Sequence, residues 1–191
     1  KDAVGTVREI ESYVSLNVPP PGIPYSWMCL LDQGGGMLNN VFTHKLAQVL
    51  YATQGTVVAA AGETRVLQDR APVAPAVHDF RELVGQLGSS DLAQATDWRP
   101  VDADTTYTVT LQLRLPGGNV ADALFRCSLF GATPQPEFLC VHGDRGSLYM
   151  TGSHGMDDQI LCRMVGEEGW TAVPIAPEIT AALPPAIERR R

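Results

Sequence analysis

The clearest alternation of apolar and polar positions lies in residues 105–129, where two strictly alternating runs flank the turn sequence PGGN. Successive side chains of a strand point to opposite faces, so each run predicts a strand with one apolar face and one polar face. The apolar positions are Tyr107, Val109, Leu111, Leu113 and Leu115 in the first run, and Ala121, Ala123, Phe125, Cys127 and Leu129 in the second.

Further β-type runs extend this sheet in both directions along the chain. EFLCVHGDRGSLYM predicts two strands around the turn at 143–146, and QILCRMV and WTAVPI predict two more. TVVAAAGETRVLQ predicts another strand. GTVREIESYVSLNV predicts a long strand that is either partly an edge strand or partly exposed at the surface. The short turns between the later runs predict an antiparallel meander. Residues 69–104 give a weaker pattern, with a short helix in HDFRELVGQLG and irregular chain around it.

One stretch has a helical period instead. From Met37 to Tyr51 the apolar residues recur every three or four positions, which predicts an amphipathic helix with Gly55 as its C-terminal glycine. This helix is the main candidate to cover the apolar face of the sheet. The fold class is therefore α+β, a predominantly antiparallel β-sheet with one face covered by helices and the other open. The open face, rich in Thr, Gln and Arg, either faces water or forms a hydrogen-bonded subunit interface.

Length and composition narrow the functional classes. A chain of 191 residues predicts one domain, here 1–175, followed by a tail at 176–191. The net charge is −7 and the only basic run is the terminal Arg189–Arg191, so nucleic acid is not expected as a partner. No apolar run approaches the roughly 20 residues that a membrane helix needs. Four cysteines without a C-x-x-C pair predict free thiols in a reducing, cytoplasmic compartment. The first residue is Lys1, which we interpret as the start of a piece of a longer protein.

Three consecutive glycines, Gly34–Gly36, stand directly before the predicted helix. Free N–H groups at a helix N-terminus favour an anion, so a phosphate site is one interpretation. The spacing does not fit a G-x-G-x-x-G fingerprint, and no G-K-[ST] sequence exists in the chain. We therefore expect these glycines to allow a sharp turn and a close backbone approach.

The helix itself carries a polar stripe formed by Asn40, His44 and Gln48 at intervals of four residues. A histidine can take a proton near neutral pH, and Asn40 one turn earlier could orient its ring or hold a substrate hydroxyl. The alternative is a structural histidine. No metal site is expected, because His142, Asp144, His154, Asp157 and Asp158 fall in turn-like sequence without a ligand motif. The nucleophile elbow G-x-S-x-G is also absent from the chain.

These residues resemble a known family. SWMCLLDQGGGMLNNVFTHKLAQVL is similar to the loop and helix of the glucose-fructose oxidoreductase / inositol dehydrogenase (Gfo/Idh/MocA) family, whose pattern is W, then D, then G-G-G-x-L-x-D-x-x-x-H. HGDRGSLYM resembles the G-x-x-G-x-L turn of that family, and the two alternating runs resemble its central strands. The matching residues of the main motif are Trp27, Asp32, Gly34, Gly35, Gly36, Leu38 and His44.

The resemblance implies a function for the parent protein. In this family an N-terminal Rossmann domain binds NAD or NADP and carries a catalytic lysine in an E-K-P motif, and neither feature is found in this chain. The chain thus resembles the second domain, which lines the substrate site and builds oligomers. The parent is expected to act on a sugar, a polyol or a related hydroxy compound, and this chain alone is expected to hold no cofactor and to be inactive.

The resemblance also assigns residues. His44 occupies the catalytic histidine position, Asn40 replaces the usual acid four residues earlier, and Trp27, Asp32 and Gln48 are expected to contact substrate. A homodimer or tetramer through the open sheet face is expected. Two alternatives stay open: a non-catalytic member of the family that senses a metabolite, and a purely structural dimerisation domain.

Overall fold

The computed structural model describes residues 3–74, 79–131, 137–153 and 156–181. An eight-stranded sheet dominates the fold, and two short strands form a separate sheet. The strands are β1 (Val7–Ser15), β2 (Thr56–Arg65), β3 (Arg70–Pro72), β4 (Trp98–Pro100), β5 (Thr106–Arg114), β6 (Val120–Ser128), β7 (Phe138–Gly143), β8 (Gly146–Ser153), β9 (Met156–Met164) and β10 (Thr171–Ala172). The helices are α1 (Thr43–Thr53), α2 (Phe80–Gln86), α3 (Ser90–Ala93) and α4 (Pro177–Ala181).

The large sheet has the order β10-β9-β8-β7-β1-β6-β5-β2. Neighbouring strands are antiparallel except for β1 and β6, which are parallel. The sheet is therefore mostly antiparallel, as predicted, but β1 interrupts the meander by lying between β6 and β7. An edge position, one of the two alternatives predicted for β1, is therefore wrong, whereas the other, partial exposure at the surface, is confirmed. Its polar residues Glu9 and Glu11 mark the open face of the sheet, whereas Ile10 and Val14 are buried on the other face.

The alternating pattern of β5 and β6 is confirmed, because every apolar position named for these runs is buried. The helix predicted from Met37 covers this face, and the ring of Phe42 contacts Tyr107 and Phe125 edge-on at centroid distances of 5.7 and 5.3 Å. Residues Leu38–Phe42 form a π-helical turn, and regular α-helix begins only at Thr43. Such wide turns are rare and occur often at functional sites.

The end of α1 differs from the prediction. Gln54, not Gly55, takes the left-handed conformation that closes the helix, with φ of 56° and its N–H donating to Leu50 O at 2.8 Å. Gly55 has another role, because a Cβ there would lie 2.9 Å from Cδ2 of Leu115. A side chain at this position would therefore force the Leu115 side chain to shift, and glycine lets the α1–β2 connection pack closely beside it.

Residues 69–104 contain more structure than predicted. The short helix in HDFRELVGQLG is confirmed as α2, whereas α3 and the β3–β4 pair lie in stretches that were predicted to be loop or irregular. The two strands were missed because each is three residues long and contains a proline, Pro72 or Pro100.

All four cysteines are free thiols, of which Cys29, Cys127 and Cys140 are buried and Cys162 is half-buried. Burial raises the pKa of the Cys127 thiol to about 12 and that of the Cys140 thiol to about 11. Within the part of the chain that the structure describes, none of the helices has the length and apolar character that crossing a membrane requires.

Candidate substrate site

The glycine loop before α1 folds back on the segment that precedes it. The N–H groups of Gly34, Gly35 and Gly36 donate to the carbonyl oxygens of Leu31 at 3.0 Å, Leu30 at 2.8 Å and Met28 at 3.0 Å. A Cβ on Gly35 would lie only 2.5 Å from Met28 O. The predicted role in close backbone approach is confirmed, and these N–H groups are not available to a phosphate.

Asp104 caps the helix from a distant part of the chain. The N–H of Leu38 donates to Asp104 Oδ2 at 2.9 Å, and the N–H of Met37 donates to Asp104 O at 3.1 Å. Burial raises the pKa of the Asp104 carboxyl, and the donated N–H of Leu38 partly opposes this effect. A Cβ on Gly36 would lie 2.3 Å from Asp104 Oδ1, so the third glycine makes room for the cap.

Asp102, which is exposed, forms hydrogen bonds with the segment that precedes the glycine loop. Its Oδ1 accepts the N–H of Leu31 at 2.8 Å, and its own N–H donates to Cys29 O at 3.1 Å. The sequence analysis missed both aspartates because they lie in a stretch without periodic pattern. The sequence D-x-D directly before an alternating strand is the signal that could have indicated them.

The carbonyl oxygens of the three glycines are bound by two asparagine side chains. Asn40 Nδ2 donates to Gly34 O at 3.1 Å and to Gly36 O at 2.7 Å, and Asn39 Nδ2 donates to Gly35 O at 3.0 Å. Within the described residues, the other amide atom of Asn40, Oδ1, accepts no hydrogen bond, and the Asn40 side chain makes none with the His44 ring. Asn40 therefore ties α1 to the glycine loop, and its Oδ1 stays available to a ligand.

His44 lies in the first turn of regular helix and is exposed. Its side chain makes no hydrogen bond or ion pair with any residue of the described segments. Gln48 follows on the same exposed side of α1, and Tyr51 beyond it is 83% exposed. A step of four residues advances about 6 Å along a helix, so these side chains form a short exposed row.

The other predicted site residues lie in the loop. Trp27 is half-buried in a 3₁₀ turn and packs against the core, whereas Asp32 is exposed in the next 3₁₀ turn. Backbone hydrogen bonds join the segment that contains Trp27 and Asp32 to the glycine loop, and Asn40 joins that loop to the start of the helix. His44 and Gln48 follow along the exposed side of the helix.

Lys45, next to the candidate base, is held by an ion pair. Its Nζ lies 2.5 Å from Oε1 of Glu137, and the two side chains are only 15% and 6% exposed. Glu137 directly precedes β7, so the pair joins α1 to the start of that strand. Local sequence gives no signal for such a pair, because its partners are far apart along the chain.

The turn residues considered for a metal have other partners. His142 Nδ1 lies 2.8 Å from Ser147 Oγ, and Asp144 accepts the N–H of Thr6 at 2.9 Å, which lowers the pKa of its carboxyl. His154 lies outside the described residues. Across the segments that the structure describes, no three His, Cys, Asp or Glu residues are placed to hold a metal ion.

Comparisons with known proteins identify the family of the chain. The family model of the GFO/IDH/MocA C-terminal domain matches residues 1–149. No curated protein sequence matches the chain.

Solved structures share the fold at low identity. An NAD binding oxidoreductase from Klebsiella pneumoniae is 19% identical with a TM-score of 0.67, and the match covers 94% of this chain and 42% of that one. An oxidoreductase domain protein from Kribbella flavida is 20% identical with a TM-score of 0.66, covering 96% and 46%. Levoglucosan dehydrogenase in complex with NADH and levoglucosan is 16% identical with a TM-score of 0.64, covering 92% and 41%.

The chain thus spans less than half the length of each of these oxidoreductases. Such low identities show a common fold only. The family model adds that the matched part is a C-terminal domain. The chain belongs to the GFO/IDH/MocA family as a C-terminal domain.

Proposed function

We propose that this chain is the substrate-binding domain of an NAD(P)-dependent oxidoreductase that oxidises a CH–OH group of a sugar, a polyol or a related hydroxy compound. Family membership supports this, and so do similar structures of levoglucosan dehydrogenase in complex with NADH and L-sorbose or levoglucosan. The observation that carries the proposal is His44, an exposed imidazole without a partner among the described residues, on a helix whose start is fixed by Asp104 and Asn40.

In this proposal His44 acts as the general base. It takes the proton of the substrate hydroxyl while the adjacent C–H bond breaks and the carbonyl double bond forms. A nicotinamide bound by the rest of the parent would accept the hydride with its electron pair. A neutral imidazole suits the proton transfer because its unprotonated ring nitrogen can accept the proton.

The described residues of this chain do not fit a dinucleotide. The N–H groups of the glycine loop and of Met37 and Leu38 already donate to oxygen atoms of the protein. None of these N–H groups is therefore available to bind the pyrophosphate of a dinucleotide. We therefore assign NAD or NADP to the part of the parent outside this chain. The isolated chain is expected to be inactive in hydride transfer.

For substrate contacts we propose the side chains around the glycine loop and along α1. The ring of Trp27 offers an apolar face to a sugar, and Asp32 and Gln48 offer exposed polar groups. The amide oxygen of Asn40 can accept a hydrogen bond from a substrate hydroxyl, because only its NH₂ group is used by the loop.

A metabolite-sensing protein without catalysis is the second candidate function. The specific observation in its favour is Asn40, an amide where the resemblance leads us to expect an acid, so no carboxylate at this position stabilises a protonated His44. A parent with a nucleotide fingerprint but without the lysine of E-K-P would favour the sensor over the enzyme.

We further propose that the open face of the sheet is a subunit interface. Four aromatic rings cross it in a row: Tyr13 and Phe138 at a centroid distance of 6.1 Å, Phe138 and Tyr149 at 5.3 Å, and Tyr149 and Trp170 at 5.7 Å. Leu124 of β6 lies on the same face and is 37% exposed. Aromatic residues on an otherwise polar face are typical of the centre of an interface. A purely structural dimerisation domain would use the same face without any role for His44.

The enzymatic role is tested with the intact parent and a panel of polyols and sugars. His44→Ala is expected to lower kcat at least about 100-fold, the usual contribution of a general base. Tyr51→Ala, an exposed substitution farther along the same helix, is the matched control and is expected to leave kcat unchanged. Unchanged turnover in the His44 variant would remove this residue from the mechanism.

A further inference from the structure

The strand at one edge of the large sheet, β2, is exposed over its whole length. Every residue from Thr56 to Arg65 is exposed, including those on the face that is buried along the neighbouring strand β5. Within the described residues β2 pairs with β5 alone, so its second backbone edge carries no strand. Both faces of β2 and one row of its backbone N–H and C=O groups are therefore open.

This open edge has little protection against pairing with another strand. Natural sheets protect their edges with very short strands, charged side chains, proline or bulges. The opposite edge strand, β10, is protected because it is two residues long. From Thr56 to Gly62, in contrast, β2 carries neither a charge nor a proline, and it has a single bulge at Val58. A long uncharged edge of this kind is a template for strand pairing.

The two faces of β2 match those of a second β2 that runs antiparallel to it. A two-fold axis at Ala60 places this residue opposite its own copy. With the bulge at Val58 counted, each further pair joins two residues of the same face of the sheet, as their partners in β5 show: Ala61 with Ala59, Gly62 with Val57, and Glu63 with Thr56.

The same register brings opposite charges together. Thr56 lies beside Arg114 of β5 on the open face. Glu63 of a second copy, opposite Thr56, is then two strands away from Arg114, roughly 10 Å between Cα atoms, which two long side chains bridge. Arg114 is exposed, and its side chain makes no hydrogen bond or ion pair within the described residues. Glu63 is 60% exposed and pairs with Arg65 of its own strand at 2.8 Å, so it can also reach a second cation.

We propose that β2 pairs with β2 of a second copy of this chain, antiparallel about Ala60, so that two sheets join edge to edge. The two-fold axis repeats the contact of Glu63 with Arg114, and it makes the contact isologous, so one partner saturates the edge. This contact leaves the open face free for the subunit contact proposed above. Because it adds a single strand pair, it is smaller than a stable interface and joins open-face dimers into tetramers as concentration rises.

Disulfide trapping in the intact parent tests the contact. Ala60→Cys places two thiols opposite each other on the axis, where Cα atoms of antiparallel strands are about 4.5–5.5 Å apart, a span that a disulfide bridges. Thr64→Cys is the matched control, because it lies on the same face of β2 but roughly 25 Å from its own copy. With oxidised glutathione we expect Ala60→Cys to link two chains at least about tenfold faster than Thr64→Cys. Mass spectrometry identifies the bridged peptides.

Charge variants in the Ala60→Cys background test the register. Glu63→Arg and Arg114→Glu are each expected to slow trapping at least about threefold, because each places like charges together at both ends of the strand pair. The two substitutions combined restore opposite charges and are expected to restore the rate. A rate that neither substitution changes would overturn the proposed register.

Other outcomes overturn the edge contact itself. Equal trapping rates for Ala60→Cys and Thr64→Cys would show that no second copy pairs at this edge. A cysteine at position 60 that neither links chains nor reacts with a maleimide would indicate that another part of the parent covers β2. Tyr149→Ser, on the open face, is expected to leave the bridge at position 60 in place, and loss of the bridge would overturn a separate edge contact. None of these outcomes depends on a catalytic role of His44.

Discussion

The side-chain amide of Asn40 donates to the backbone carbonyl of Gly36 at 2.7 Å and, with its second hydrogen, to that of Gly34 at 3.1 Å. These two hydrogen bonds give a structural reason why position 40 carries an amide. An ionised carboxylate can only accept hydrogen bonds, so it cannot hold these two carbonyl oxygens. The residue that departs from the expected family pattern is therefore matched to the conformation of this particular loop.

We expect Asn40→Asp to lower the free energy of unfolding of the chain by about 1–3 kcal/mol, because two donated hydrogen bonds are lost beside carbonyl oxygens. Neighbouring carbonyl oxygens disfavour the ionised form, so the pKa of the new carboxyl is expected to be raised in the folded state. The destabilisation should thus be largest near neutral pH and shrink as the pH falls towards about 4.

Urea denaturation at several pH values measures this effect. Gln48→Glu is the matched control, since it makes the same change from amide to acid at an exposed position of the same helix. An equal effect of both substitutions would show that the added charge, and not the lost hydrogen bonds, is responsible.

Gly36→Ala should be more harmful than Gly34→Ala. Both glycines have positive φ, 95° and 78°, but only at Gly36 would the added Cβ meet a neighbour, Asp104 Oδ1 at 2.3 Å, whereas nothing lies within 4 Å of it at Gly34. The conformational cost alone is about 1–2 kcal/mol. We expect Gly34→Ala to lose about this amount and Gly36→Ala clearly more, as measured by thermal or urea unfolding. Equal losses would indicate that the Asp104 cap moves freely.

Asp104 should contribute a pH dependence with a defined sign. Burial raises its folded-state pKa above the ordinary value, so the folded state holds the proton more tightly than the unfolded state does. The contribution of this group to stability is then largest below its unfolded pKa, about 4, and declines as the pH rises through the folded value.

Asp104→Asn removes this titration while keeping an oxygen that can accept the Leu38 N–H. The free energy of unfolding of the variant, relative to that of the original chain, is expected to increase between about pH 4 and pH 7. Asp102→Asn, at an exposed carboxylate that accepts the Leu31 N–H, is the comparison. A pH-independent difference for Asp104→Asn would contradict the assignment.

The ion pair between Lys45 and Glu137 gives a prediction about coupling. Breaking a buried ion pair by removing one of its members costs about 3–5 kcal/mol. We expect Lys45→Met to approach this loss, and the double variant Lys45→Met, Glu137→Leu to recover much of it. A double-mutant cycle by urea unfolding measures the coupling, and additive single losses would show that the two side chains act independently.

Elements with a periodic pattern in their own sequence could be predicted from the sequence. The strands β5 and β6 and their buried faces could be predicted because one face of each is covered, and burial imposes a period of two on the sequence. The helix over Met37–Tyr51 could be predicted for the same reason, but its π turn could not, because five residues do not distinguish the two periods.

Other features have no local signal. The position of β1 between β6 and β7 depends on a parallel pairing with residues more than a hundred positions away, and its alternation is the same at an edge or in the centre. The Asp104 cap joins a stretch without pattern to the helix start, so only the folded chain brings them together. His44 and the glycines could be proposed from the sequence because the motif that contains them is contiguous.

The open sheet face gives the last prediction. Tyr149 stands in the middle of the aromatic row, in contact with Phe138 and Trp170, and the row as a whole is half-exposed in the single chain. If two copies pack through this face, the centre of the row becomes fully desolvated. Removal of one central ring then weakens the dimer by about 2 kcal/mol or more, as for a hot-spot residue of an interface.

Sedimentation equilibrium should show a dimer for the original chain. For Tyr149→Ser we expect the dissociation constant of the dimer to rise at least about 30-fold. Met150→Ser, the next residue and on the opposite face, should leave the dimer intact. A monomer at all concentrations in the original chain would contradict a dimer through the open face, and equal effects of the two substitutions would place the subunit contact elsewhere.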